Sequence, residues 1–218
     1  MRGLHRVSAL LVLLFVTGAG GRALAADATR PHEHTGIVTP HKGAPPEVAL
    51  SDADIARITT GEVVLKQQQV GSGGRGVAVF DIKATPAKIW SRITDYSGYP
   101  RMVGHVSECG NYKTACTEIY TRFLLDVMGF DVEYFIHHTY RPDEGWLTWT
   151  LDYSRQSDLD DSVGYWRVWT VTTSPAVSRL AYSVDIRFKG YIPGFVQDMI
   201  AKKGLTDAAT WVKRESEK

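Results

Sequence analysis

Between Met102 and Lys189 apolar and polar residues alternate almost without interruption, and this period of two decides what the chain can become. Residues 117–127 place Ile119, Thr121, Phe123, Leu125 and Val127 on one side. Residues 130–140 repeat the pattern with Phe130, Val132, Tyr134, Ile136, His138 and Tyr140. Leu147, Trp149, Leu151 and Tyr153 follow, and later Leu180, Tyr182, Val184, Ile186 and Phe188. Residues 163–171 are aromatic on both sides, with Tyr165 and Trp169 opposed to Trp166 and Val168. Successive side chains of a strand point to opposite faces, so each run is a strand with one apolar face. The breaks are short: Cys109-Gly110-Asn111, Met128-Gly129, residues 141–145 and Thr173-Ser174-Pro175. Connections this short make hairpins, and hairpins in series make an antiparallel meander.

Two further strand-like runs lie upstream, at 62–70 and 75–84, separated by Gly71-Ser72-Gly73-Gly74. That glycine-rich break reads as a turn. No Gly-Lys-Ser/Thr follows it and a strand comes next, so it is not a phosphate loop. Ser51 caps a short helix that carries Asp52 and Asp54 in its first turn. Thr85 and Pro86 open another, with Ile89, Trp90 and Ile93 on one face, and residues 95–100 close this unit as a turn or second short helix. After Pro193 the period becomes helical. Phe195, Val196, Met199 and Ile200 form one stripe, and Leu205, Ala208, Ala209 and Val212 form another. At about 100° per residue the two stripes lie roughly opposite each other. A straight helix cannot turn both to one surface, so the pattern predicts a bend or break near Gly204, with Thr206 capping a new start.

The N-terminus sets the compartment. Arg2 and Arg6 precede an apolar run at 7–16, then small residues, then Ala23-Leu24-Ala25. This is the layout of a secretory signal peptide, cleaved near Ala25-Ala26, and the apolar run is short of the roughly 20 residues of a membrane span. The chain is therefore expected to be secreted or periplasmic. Removing Arg2, Arg6 and Arg22 from the 25 basic residues leaves 22 against 24 acids, a net charge near −2. No basic face for nucleic acid follows from that balance. In an oxidising compartment Cys109 and Cys116 are expected to form a disulfide that pins the hairpin loop between them. Residues 26–50 are rich in Pro, His, Thr, Ala and Gly without an apolar period, and read as a flexible tail before a domain at 51–218. His32, His34 and His41 in that tail are metal-binding residue types, but a flexible tail has no surrounding groups to orient them, so no metal is expected.

No Gly-x-Ser-x-Gly, His-Glu-x-x-His or dinucleotide fingerprint is present. His137 and His138 are adjacent in a strand and point to opposite faces, so they cannot chelate one ion together. His138, Tyr140 and His105 are the acid/base candidates if the protein is an enzyme. A hydrogen-bonded core histidine is the simpler reading of His138. Asp158, Asp160 and Asp161 lack calcium-loop spacing and read as a solvated hairpin loop. Arg122, Arg167 and Arg187 are placed on the outer sheet face.

The order of elements, together with Trp90, the Ile93-Thr94-Asp95-Tyr96-Ser97-Gly98-Tyr99-Pro100 segment, Gly164-Tyr165-Trp166, Ile192-Pro193-Gly194-Phe195-Val196, Lys203-Gly204-Leu205 and Trp211, resembles the START-like helix-grip superfamily (SRPBCC) over residues 61–215. That superfamily includes polyketide cyclase/dehydrase and coenzyme Q-binding proteins. The resemblance implies an α+β fold in which a curved antiparallel sheet of about seven strands wraps a long C-terminal helix, with two short helices after the first strands. It implies a cavity between sheet and helix, and lipids, quinones, sterols or polyketides as ligand classes. Trp90, Tyr99, Phe123, Tyr134, Ile136, Trp149, Trp166, Tyr182, Phe195 and Met199 are then the expected ligand contacts. The reading is an exported, monomeric carrier of a hydrophobic small molecule, in transient contact with a membrane, without cofactor. The alternatives are a polyketide cyclase or aromatase, and an interaction domain whose pocket is filled by its own side chains. Fold alone does not choose among them.

Overall fold

The computed structural model describes residues 25–70 and 73–218; residues 1–24, within the segment read from sequence as a signal peptide, and residues 71–72, within the segment read as a turn, lie outside these residues. Ser51 and Asp54 cap each other reciprocally and start α1 (Asp52–Thr59). Strands β1 (Val64–Val70) and β2 (Gly73–Ile82) pair as a hairpin. The Thr85 hydroxyl accepts the Lys88 amide and Pro86 occupies the first turn of α2 (Pro86–Ile93). Asp95 caps a single 3-10 turn, and α3 (Tyr99–Met102) follows. The meander runs β3 (Val106–Ala115), β4 (Glu118–Val127), β5 (Phe130–Arg141), β6 (Trp146–Leu151), β7 (Leu159–Thr173) and β8 (Ala176–Phe188), and α4 (Gly194–Ser216) ends the chain. All eight strands form one antiparallel sheet in the order β1-β2-β8-β7-β6-β5-β4-β3. The extra strand over the expected seven arises because both upstream runs join the meander.

Alternation sorts the core into two layers. Phe80, Ile82, Trp166 and Leu180 point into the main core, shared with α2, α3 and α4. Their neighbours Val77, Val79, Tyr165 and Ala181 point the other way, into a smaller cluster under Ile58 of α1 with Val48 and Leu50. Helix α4 contacts β2, β8 and α2, so it is held from more than one side.

Three expectations give way. The break near Gly204 is absent, and α4 runs unbroken from Gly194 to Ser216. Val196 and Val212 are both fully buried, although they lie on nearly opposite sides of a straight helix. A concave sheet plus α2 reaches around the helix, so burial of both stripes requires no kink. The disulfide is also absent: Cys109 and Cys116 are free. The segment read as a loop between them is strand, with Cys109 paired to Phe123 and the turn placed at Cys116, after Ala115 pairs with Glu118. Seven extended residues at about 3.3 Å each separate the thiols by on the order of 20 Å, far beyond disulfide reach. Gly110 and Asn111 pair in regular register with Arg122 and Thr121, and a bulge follows between Asn111 and Lys113. Finally, Asp158 and Asp161 are not on a solvated loop but buried.

Residues 26–50 carry little regular structure yet make long-range hydrogen bonds. The Asp27 amide donates to the Gln156 carbonyl at 2.8 Å, and the His32 amide to that of Tyr153 at 3.0 Å. The amides of Ile37 and Val38 both donate to Asp161, at 2.8 and 2.7 Å. Arg75, itself buried, reaches the Thr39 carbonyl and the His41 ring. The segment therefore lies along the chain's own sheet and loops.

Candidate functional site

A cavity of about 410 Å³ opens between the concave face of the sheet and α4. Its floor depends on Gly164. A Cβ at this position would overlap the Trp149 indole, so only glycine lets that ring lie against β7. Trp149 stacks on Tyr182 with centroids 5.9 Å apart, and Tyr182 meets Trp166 at 4.1 Å. On the other wall Phe123 and Tyr134, cross-strand partners on β4 and β5, stack at 5.1 Å. Tyr99 packs between Phe123 and Trp211 and donates its hydroxyl to the Ile93 carbonyl at 2.6 Å. Burial pushes the Tyr99, Tyr134 and Tyr182 phenols well above their ordinary range, so all three stay neutral.

Eight of the ten expected contact residues line this space: Tyr99, Phe123, Tyr134, Ile136, Trp149, Trp166, Tyr182 and Met199. Trp90 and Phe195 are not in its wall. Trp90 is buried behind it, edge-on to Tyr140 at 5.4 Å, with its indole N–H unpaired. Phe195 is 47% exposed at the start of α4, against Phe130 of the β4–β5 hairpin. It belongs to the same stripe as Val196 by spacing, yet the first turn of α4 buries only Val196. Sequence reasoning missed Tyr96, Val184, Ile186, Ser162 and Trp211. The alternation of β8 contained the signal for Val184 and Ile186. Tyr96 stands near Tyr99 in the segment 93–100, which has no period to assign it.

The polar groups are few. Trp149 donates from Nε1 to the Ser162 hydroxyl at 3.3 Å. His138 is 5% exposed and sits between Tyr96 and Trp149, with ring centroids 5.1 and 6.4 Å away. Burial drives its pKa down to about 3. At the rim stand the exposed residues Gly104, His105, Asp207, Thr210 and Arg214. His105 holds a left-handed backbone with φ of 66°. The three acid/base candidates are thus dispersed: His138 inside, His105 at the lip, and Tyr140 outside the wall against Trp90. A ring with a pKa near 3 and no carboxylate partner is poorly matched to proton transfer at neutral pH.

His32 and His34 gather with Asp160, their ligand atoms within 4.8 Å of one another, whereas His41 lies apart against Tyr165. The Nδ1 atoms of His32 and His34 accept the amides of Ser157 and Gly36. Each ring therefore carries its hydrogen on Nε2, which faces an Asp160 oxygen at 2.9 and 3.2 Å. With both nitrogens committed, neither ring presents a lone pair to an ion. Arg122, Arg167 and Arg187 pair with Glu108 and Glu133, with Glu47, and with Asp185, and none lines the cavity.

No family model matches the chain, and no curated protein does. Solved structures do share its architecture. A STAR-related lipid transfer protein fragment from Xanthomonas axonopodis superposes with a TM-score of 0.54 at 13% identity, covering 72% of this chain and 99% of that one. The chain has the START-like helix-grip fold. The Zhui aromatase/cyclase from Streptomyces sp. R1128 gives a TM-score of 0.55 at 12% identity, over 71% of this chain and 94% of the other. A START superfamily protein from Mycobacterium smegmatis gives 0.54 at 16%, over 66% and 98%. At such identities the likeness concerns the fold.

Proposed function

We propose that this helix-grip protein binds an apolar small molecule in the cavity between the sheet and α4, and that it carries this molecule rather than transforming it. The observation that supports this most is the cavity itself: about 410 Å³ walled by aromatic and aliphatic side chains, within the range of small-molecule sites. A chain that used its aromatic residues only as packing would close such a space, because interiors are dense. The lipid-transfer and aromatase/cyclase neighbours support the same kind of occupant. The dispersal of His138, His105 and Tyr140 favours a carrier over a cyclase.

Export through a cleaved signal peptide belongs to the same proposal, since the N-terminal layout supports it. Edman sequencing of the mature protein is expected to begin at Ala26. Among the described residues no helix is long and apolar enough to cross a membrane. Exposed Met128 and Phe130, on the hairpin next to cavity-lining Val127, together with Phe195 support a transient membrane contact during loading.

The direct test is mass spectrometry of an organic extract of the purified protein. A co-purifying apolar compound at near-stoichiometric yield is expected. Protein that emerges empty and binds nothing from a screen of lipids, quinones and sterols would remove the carrier reading.

A further inference from the structure

His138 is deeply buried in a wall that is mostly apolar or aromatic, and the neighbouring Tyr96 ring carries a hydroxyl without a described partner. Its Nδ1 lies 3.3 Å from the Ile119 carbonyl oxygen and 3.5 Å from the Thr121 hydroxyl oxygen. A carbonyl only accepts. The Thr121 hydroxyl already donates to the Asn111 side-chain oxygen at 2.8 Å, so toward His138 it too can only accept. Both neighbours of Nδ1 are therefore acceptors, and Nδ1 carries the ring hydrogen. Because Nδ1 faces β4, Nε2 lies on the far side of the ring, toward the cavity that His138 lines. No described residue bonds to it. The ring stays neutral throughout the physiological range, since burial holds its pKa near 3. In that state Nε2 has a lone pair and no hydrogen.

A lone pair facing the cavity loses its access to water when a ligand fills that space, and the ligand compensates for this only with a donor. Resting on the carrier reading above, we infer that the ligand is an apolar compound bearing a hydroxyl, phenol or alcohol, which donates to Nε2 of His138. Carbonyl, ether and ester oxygens offer this nitrogen nothing. At this nitrogen a quinol is therefore favoured over its quinone and a free sterol over its ester. Ser162 adds complementary chemistry: its hydroxyl oxygen accepts from Trp149, which leaves its own hydrogen to be donated.

The experiment compares matched pairs on the purified protein by calorimetry and tryptophan fluorescence. One pair is 2-naphthol and 2-methoxynaphthalene; the other is trans-2-decalol and its methyl ether. The hydroxyl member of at least one pair is expected to bind about tenfold more tightly, the worth of a good buried hydrogen bond. A preference in the first pair points to phenols, and in the second to alcohols. His138→Phe is expected to abolish the preference, and His138→Gln, which keeps an acceptor oxygen, to retain part of it. If the Phe variant does not fold, the wild-type pairs and the Gln variant still decide. Equal affinity within both pairs, or a preference that survives His138→Phe, overturns the inference and leaves the carrier reading standing. Failure of all four compounds to bind overturns both.

Discussion

The two faces of the sheet are finished in different ways. On the convex side, the N-terminal segment and the loops close over polar groups that are all spoken for. Buried Asp161 accepts four hydrogen bonds, from the amides of Ile37, Val38 and Ser162 and from the Tyr153 hydroxyl. Asp158 accepts from Ala26, Glu133 and Tyr191. On the concave side the walls are largely aromatic and aliphatic, space remains, and neither Nε2 of His138 nor the Tyr96 hydroxyl has a described partner. Saturated polar groups mark a surface the chain closes by itself. Unpartnered polar groups and retained volume mark one that awaits another molecule.

The largest expected effect tests the convex side. Asp161→Ala leaves four donors without their acceptor and is expected to destabilise the fold by at least about 3 kcal/mol in urea unfolding. Ligand affinity of the folded fraction should hardly move. A large loss of affinity would mean that the two faces are coupled.

Acidity acts on both faces in one direction. His138 and His41 are held down to about 3 and about 4 by burial, with Arg75 adding to the effect at His41. Below the unfolded value near 6.5, the unfolded chain takes up protons that the folded chain refuses. Stability is therefore expected to fall as pH drops from 6.5 toward 4, and to be unaffected by these groups above about 7. For fully buried His138 the share is about 2 kcal/mol at pH 5. Between pH 7 and 5, His138→Gln should lose less stability than the wild type by that amount, measured by denaturant midpoints at each pH.

Filling the concave side sharpens the contrast. Val184→Trp places an indole in the cavity and is expected to weaken 2-naphthol or 2-decalol binding by about tenfold, while stability changes by less than about 1.5 kcal/mol. An unchanged affinity would move the binding site elsewhere. The smallest effect concerns the free thiols. Cys116→Ser is expected to shift stability by no more than about 0.5 kcal/mol, and both thiols should react with Ellman's reagent in denaturant without reductant.

Much of this molecule was legible residue by residue. The alternation of β4, β5, β6 and β8 specified their inward faces, so Phe123, Tyr134, Ile136, Trp149 and Tyr182 could be placed before any coordinates. Caps at Ser51 and Thr85 marked two helix starts. The failures share a cause. Cys109-Gly110-Asn111 resembles a turn, but cross-strand pairing with β4 outweighs local turn preference. Phe195 carries the apolar signature of its stripe, yet which side of a helix meets the core depends on where the sheet stands. Trp90 is as apolar as Trp149, and only the position of α2 puts it behind the wall.

Local sequence determined the strands, their faces, the caps and the terminal helix, because those depend on neighbours two to four residues away. Tertiary structure alone decided that α4 stays unbroken, that the N-terminal segment docks on buried aspartates, and that His138 keeps an open nitrogen beside an unfilled space. Those outcomes depend on groups from separate elements, as far apart in the chain as Ile37 and Asp161, and no local periodicity encodes where a curved sheet stops short of its helix.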